Sequence, residues 1–190
     1  MYNVFLDKLP NNFKGYLINT DFRIGIQILQ IFSDADLDEM EKSAIALNLL
    51  YGNGVPDDRN MAIAGLFWFL NCGKERNNEE SNDDDIIFDF DIDAHVIYSA
   101  FYHRYNIDLK TAKLHWWDFK TLLLDLGECA LTNIMNARQT KITPNMPQEE
   151  QEYYRKLKKI YEIPKQYTTE ETNNLNEFLA QLKGGEDDTI

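Results

Sequence analysis

The chain has 190 residues, enough for one domain with a substantial core, and at 44% hydrophobic and 13% aromatic it is too apolar for disorder throughout. Its 32 acidic against 19 basic residues leave a charge of −13, which sets the surface against bare nucleic acid and anionic membrane. Cys72 and Cys129 match no metal-type spacing and the N-terminus lacks the basic-then-apolar order of a secretory signal, so a reducing cytoplasm is expected.

The opening stretch "NVFLDKLPNNFKGYLINTDFR" alternates apolar and polar residues around Pro10, Asn11, Asn12 and Gly15, which predicts a small β-hairpin. Between Phe22 and Phe32, Ile24, Ile26 and Ile28 alternate, while Ile24, Ile28, Ile31 and Phe32 fit a helical stripe. Length and the Thr20–Asp21 cap favour helix. A second helix is expected from Asp34 or Asp36, with Glu39 in a capping contact and Leu37, Met40, Ala44 and Leu47 on its apolar stripe. "YGNGVPDD" ends it with a positive-φ turn and starts the next. That third helix, from Asp58 to Asn71, is apolar nearly all round and belongs at the centre of the fold. Its run "MAIAGLFWFL" is about half the ~20 residues that cross a membrane, so it reads as a buried helix.

Residues 74 to 93 hold nine acidic side chains against Lys74 and Arg76, so 2 − 9 gives −7, more than half the charge of the chain. Residues 74–90 are accordingly expected to form an acidic loop. Helices resume over Asp93–Tyr105, Leu109–Leu126 and Cys129–Ala137. "QEEQEYYRKLKKIYEIP" follows, with its acids first and its bases last, the order that the helix dipole favours. The last helix starts at a capping box, Thr168-x-x-Glu171, carries the stripe Leu175, Phe178, Leu179 and Leu182, and closes at Gly184–Gly185. The fold class is therefore mainly α: a compact helical bundle with a small N-terminal β-hairpin and a C-terminal helical extension.

Chemistry is hard to find in this pattern. "DFDIDAH" begins like a calcium loop, but the sixth position holds Ala94 in place of Gly and the twelfth Ala100 in place of Glu. Asp91 and Asp93 read better as helix caps. Asp83, Asp84, Asp85, Asp89 and Asp93 could in principle serve a metal nuclease, yet no basic phosphate-binding neighbour accompanies them. His95, His103 and His115 form no His-x-x-x-His pair, and nucleophile elbows, Walker loops and dinucleotide fingerprints are absent. No enzyme, no metal site and no cofactor are expected.

The adjacent tryptophans of "LHWWDFKTLLLDL" raise a packing question. With about 100° per residue, Trp116, Phe119, Leu122, Leu123 and Leu126 share one arc, whereas Trp117 and Leu124 lie on a second side beyond Lys120. Either Trp117 and Leu124 pack on another helix of this chain, or they form or support a groove for a partner.

Three stretches together, "LP…INTDFR" at 9 to 23, "FDFDIDAHVIYSAFYHRYNIDL" at 88 to 109 and "LHWWDFKTLL" at 114 to 123, resemble a family of proteins from phages and prophages of Gram-positive bacteria. Its members are encoded in the tail module, upstream of the tape-measure protein, and look like tail assembly chaperones. The resemblance spans about residues 1 to 140 and leaves out the segment from Pro144 on. It implies a non-enzymatic protein of the bacterial host cytoplasm. Its expected partners are tape-measure protein helices, tail tube protein and further copies of itself, with neither nucleic acid nor membrane among them. The chain then divides into a helical chaperone-like domain over 1–140 and a C-terminal helical extension over 141–190. The candidate partner-binding residues are Trp117, Leu124, Leu175, Phe178, Leu179 and Leu182. A structural tail completion or connector subunit of the virion is the alternative, on the same tail-module resemblance.

Overall fold

The computed structural model describes residues 2–74 and 88–164. β1 (Asn12–Phe13) and β2 (Tyr16–Leu17) form the expected hairpin, with Asn12 opposite Leu17 and Phe13 opposite Tyr16. Lys14 and Gly15 between them both take positive φ, 49° and 91°, the two-residue turn whose twist matches that of paired strands. Phe13 points inward and meets the Trp68 ring at 5.1 Å.

α1 (Phe22–Ser33) settles the ambiguity after residue 22 in favour of helix: Asp21 accepts the amide of Arg23, and Phe22, Gly25 and Ile28 are buried at helical spacing. α2 (Glu39–Tyr51) starts later than its sequence suggests. Asp34 accepts the amide of Asp36 in a local turn, and the capping box falls on Asp38 and Glu41. The shift turns the stripe as well. Ala46, Leu47, Leu50 and Tyr51 are buried, while Met40 and Ala44 face outward, so only Leu47 of the expected core stripe lies fully inside.

After a 3-10 turn at Gly52–Gly54, Asp58 caps α3 (Arg59–Leu70) through the amides of Asn60 and Met61. The central placement holds: Ala62, Gly65, Leu66, Phe69 and Leu70 are buried, and α2, α5 and the hairpin lie around the helix. Phe67, however, is 44% exposed.

α4 (Ala94–Tyr105) ends at Asn106 in the left-handed region. The expected helix over Leu109–Leu126 is shorter, because α5 runs only Trp116–Leu124. Asp108 folds residues 108–112 into a turn, and the Arg23 guanidinium holds that turn by the carbonyls of Leu109, Lys110 and Ala112. Phe22 donates to the carbonyl of Leu114 and Trp116 to that of Thr20, which stitches the entry of α5 to the entry of α1. α6 (Ala130–Gln139) then packs on α4, and α7 (Gln148–Ile160) on α6. Phe119, fully buried, joins the two sides of the bundle: its ring lies 4.8 Å from Phe22, 5.0 Å from Phe101 and 5.8 Å from Trp116.

Candidate docking groove

The paired tryptophans are both inside. Trp116 is 1% and Trp117 3% exposed. Neighbouring positions can both be buried because α3 ends between them. The last carbonyls of a helix lack intrahelical donors; that of Leu70 takes its donors from α5, and that of Phe69, which accepts the Cys72 amide at 3.2 Å, gains an indole as well. Trp116 Nε1 donates to Leu70 at 3.3 Å and Trp117 Nε1 to Phe69 at 2.8 Å, with Lys120 Nζ adding a bond to Leu70 at 3.0 Å. Trp117 is further enclosed by the rings of Tyr2, Trp68 and His115 at 5.1, 5.0 and 5.5 Å. Trp117 thus packs within the chain as an internal support, with both its ring and its N–H engaged there. Leu124, one turn past the end of this packing, is 84% exposed. Leu175, Phe178, Leu179 and Leu182 lie outside the described residues.

His115 positions this arrangement. Its Nδ1 accepts the amide of Trp117 at 3.0 Å, so the ring proton sits on Nε2 and is donated to the carbonyl of Pro10 at 3.0 Å. Burial holds the imidazole below its usual range, against smaller opposing effects of the Pro10 carbonyl and Asp118. Burial also raises the Cys72 thiol, with Lys120 and Lys74 pulling the other way, so the side chain rests as a thiol.

On the other side of the Trp116 ring a groove opens among α1, α3 and α5. Leu29, Phe32, Phe67, Leu70 and Trp116 line it, with Asn71 and Lys120 as its polar members, and its volume is about 240 Å3. Pockets that take whole small molecules run to about 300–1,000 Å3. This one falls below that range. Among the described residues Lys120 pairs with no carboxylate, and its ammonium lies 5.8 Å from the Trp116 ring. Sequence reading missed the groove. Leu29, Phe32 and Leu70 belong to ordinary core stripes, and the crossing of α1, α3 and α5 decides which of them stay accessible. The one legible hint was Lys120, placed between the two apolar arcs of α5.

The aspartates are engaged elsewhere. Asp89, not Asp91 or Asp93, accepts the amides of Asp91 and Ile92, while Asp91 accepts from Gln30. Asp93 sits at the N-cap position of α4 but, 3% exposed, turns its carboxylate to Arg138 in a bidentate pair at 2.6 and 3.0 Å. Asp83, Asp84 and Asp85 lie outside the described residues, and among those described no group of His, Cys, Asp and Glu could hold a metal ion. Nor is any described helix long and apolar enough to cross a membrane.

Fold and groove together define a mainly α-helical protein with an accessible apolar groove. The family described as "Bacteriophage Gp15 protein" matches residues 5–163, and the chain belongs to that family. The match runs through α7, beyond the 1–140 span of the resemblance read from the sequence. No curated protein and no solved structure matches the chain.

Proposed function

We propose that this phage protein is a tail assembly chaperone that binds helices of the tape-measure protein and assists tail tube assembly, without enzymatic chemistry, in the cytoplasm of the bacterial host. Membership of a phage protein family supports a structural or assembly role. The observation that carries the finer reading is the accessible apolar groove of Leu29, Phe32, Phe67, Leu70 and Trp116. An amphipathic helix buries its stripe in such a groove through one or two large anchors. The charge of −13 would keep a complex with a greasy client in solution.

Co-expression with the tape-measure protein tests this. A complex that survives size exclusion, raises the client's solubility and is lost in Phe67→Glu is the expected result. Unchanged client solubility with no complex would remove the reading. The alternative, a completion or connector subunit, draws on the exposed Leu124 and Phe67, which equally suit a subunit interface. Mass spectrometry of purified virions separates the two, since a chaperone leaves the particle and a connector stays at fixed stoichiometry.

A further inference from the structure

Residues 3 to 7 form an ordered turn that displays apolar side chains. The amide of Asn3 donates to Asp7 Oδ2 at 2.7 Å and that of Phe5 to Asn3 Oδ1 at 2.9 Å, while the amides of Leu6 and Asp7 donate to the Asn3 carbonyl at 3.1 and 2.9 Å. On this turn Val4, Phe5 and Leu6 are 64%, 91% and 82% exposed. Three consecutive large apolar residues held open to water mark an interaction surface. The turn does not reach the groove of its own chain. Tyr2 packs against Trp117 on one side and Leu9 against the core on the other, and Phe5 between them stays almost wholly in solvent.

We propose that the Val4–Phe5–Leu6 turn of one copy seats in the α1, α3 and α5 groove of a second copy. Three features select that occupant. The groove, at about 240 Å3, admits an aromatic ring with a neighbouring aliphatic side chain and is too small for a whole small molecule. Its walls are apolar, as is the turn. Its single charged lining residue, Lys120, has no carboxylate partner among the described residues, and Asp7, exposed two residues after Phe5, has no cationic one. Seating Phe5 beside Trp116 brings a carboxylate to the side of the groove where an ammonium waits. Knob and groove are different patches, so the junction is heterologous and each copy carries one half of it.

This goes beyond the chaperone reading and is measured without any client. Sedimentation velocity of the full chain over a concentration series should show reversible self-association. The −13 charge on each copy repels its neighbour, so salt should strengthen the association, the opposite of a contact driven by net charge. Phe5→Glu removes the knob and Phe67→Glu blocks the groove; each variant alone should associate on the order of thirtyfold more weakly, as loss of a central anchor does. Mixed in equal amounts they should regain a one-to-one complex, because one partner keeps the groove and the other the knob. Asp7→Asn, which keeps an acceptor for the Asn3 amide and removes the charge, should weaken association while leaving the turn in place. Far-ultraviolet circular dichroism and melting curves confirm that each variant is folded. A wild type that stays monomeric overturns the proposal, as does self-association that persists in either Phe variant, or a mixture of folded variants that does not recombine. If the monomeric wild type binds tape-measure fragments in a way that Phe67→Glu abolishes, the groove belongs to the client alone and the proposal falls while the chaperone reading stands.

Discussion

His115 is the residue on which α5 turns, because a single imidazole accepts the amide of Trp117 and donates to Pro10. Only the first bond requires the neutral ring, since an imidazolium still donates from Nε2. Protonation would place an N–H on Nδ1 facing the Trp117 amide and remove the cap. Since burial lowers the folded-state pKa from the ordinary 6.5, the unfolded chain takes up the proton first. The associated stability is complete above about pH 6.5 and declines as pH falls from there through the lower folded-state value. His115→Asn keeps a capping acceptor without a titrating ring. The wild type should therefore lose more stability than His115→Asn between pH 7.5 and 5.5, as read by urea denaturation at each pH. Gly25 is a second residue fixed by one contact: a Cβ there would overlap Cε3 and Cδ2 of the Trp116 ring. Gly25→Ala gains about 1 kcal/mol of helix propensity. Overpacking against a buried ring that is itself hydrogen-bonded costs about 1–3 kcal/mol or more. The ring cannot yield without releasing Leu70, so a net loss of about 2 kcal/mol is expected in the same assay.

At the scale of elements, the junction of α3 with α5 is held by donors that reach from one helix to the open carbonyls of another. Trp117→Phe keeps most of the ring but removes the indole donor from the Phe69 carbonyl, which keeps the longer bond from the Cys72 amide at 3.2 Å. A lost intramolecular hydrogen bond costs about 0.5–1.5 kcal/mol and the small cavity adds to it. A loss of about 1–3 kcal/mol is expected in equilibrium unfolding, with earlier amide exchange in the last turn of α3. The element boundaries follow the same logic of local satisfaction. α2 begins at Asp38 because Asp38 and Glu41 satisfy each other's amides, where Asp34 and Asp36 form only a turn. α5 begins at His115 because Arg23 claims the carbonyls of residues 109, 110 and 112. That claim comes from a helix some ninety positions earlier in the chain, so no window around Leu109 could reveal it.

At the scale of the whole molecule, α7 is lightly attached, since it buries no residue fully. It is tied to α6 by Arg138, whose Nε donates to the Tyr161 carbonyl at 2.6 Å and whose own carbonyl accepts from Lys158. The same guanidinium neutralises Asp93 at the entry of α4, so one side chain links three helices. Arg138→Ala should leave the Asp93 carboxylate buried without its partner and cost about 3–5 kcal/mol. It should also free α7, making limited proteolysis over residues 140–160 several-fold faster than in the wild type. Asp93→Ala should lower stability by a similar amount while leaving the Arg138–Tyr161 bond in place, so its α7 should remain better protected. The two variants together separate the stability of the bundle from the docking of its last described helix.

The sequence by itself determined the helical class, the presence of a small N-terminal hairpin, the central place of α3 and the two apolar sides of α5. Each of these rests on periodicity, capping or turn chemistry within a dozen residues. Only the tertiary structure decided that Trp117 faces inward, that Leu124 on the same side of the helix stays in water, and that Asp93 faces Arg138 instead of capping α4. These outcomes depend on where another helix ends and which remote group reaches a carbonyl or carboxylate first. Such distances arise when the chain folds back on itself, and no local pattern encodes them.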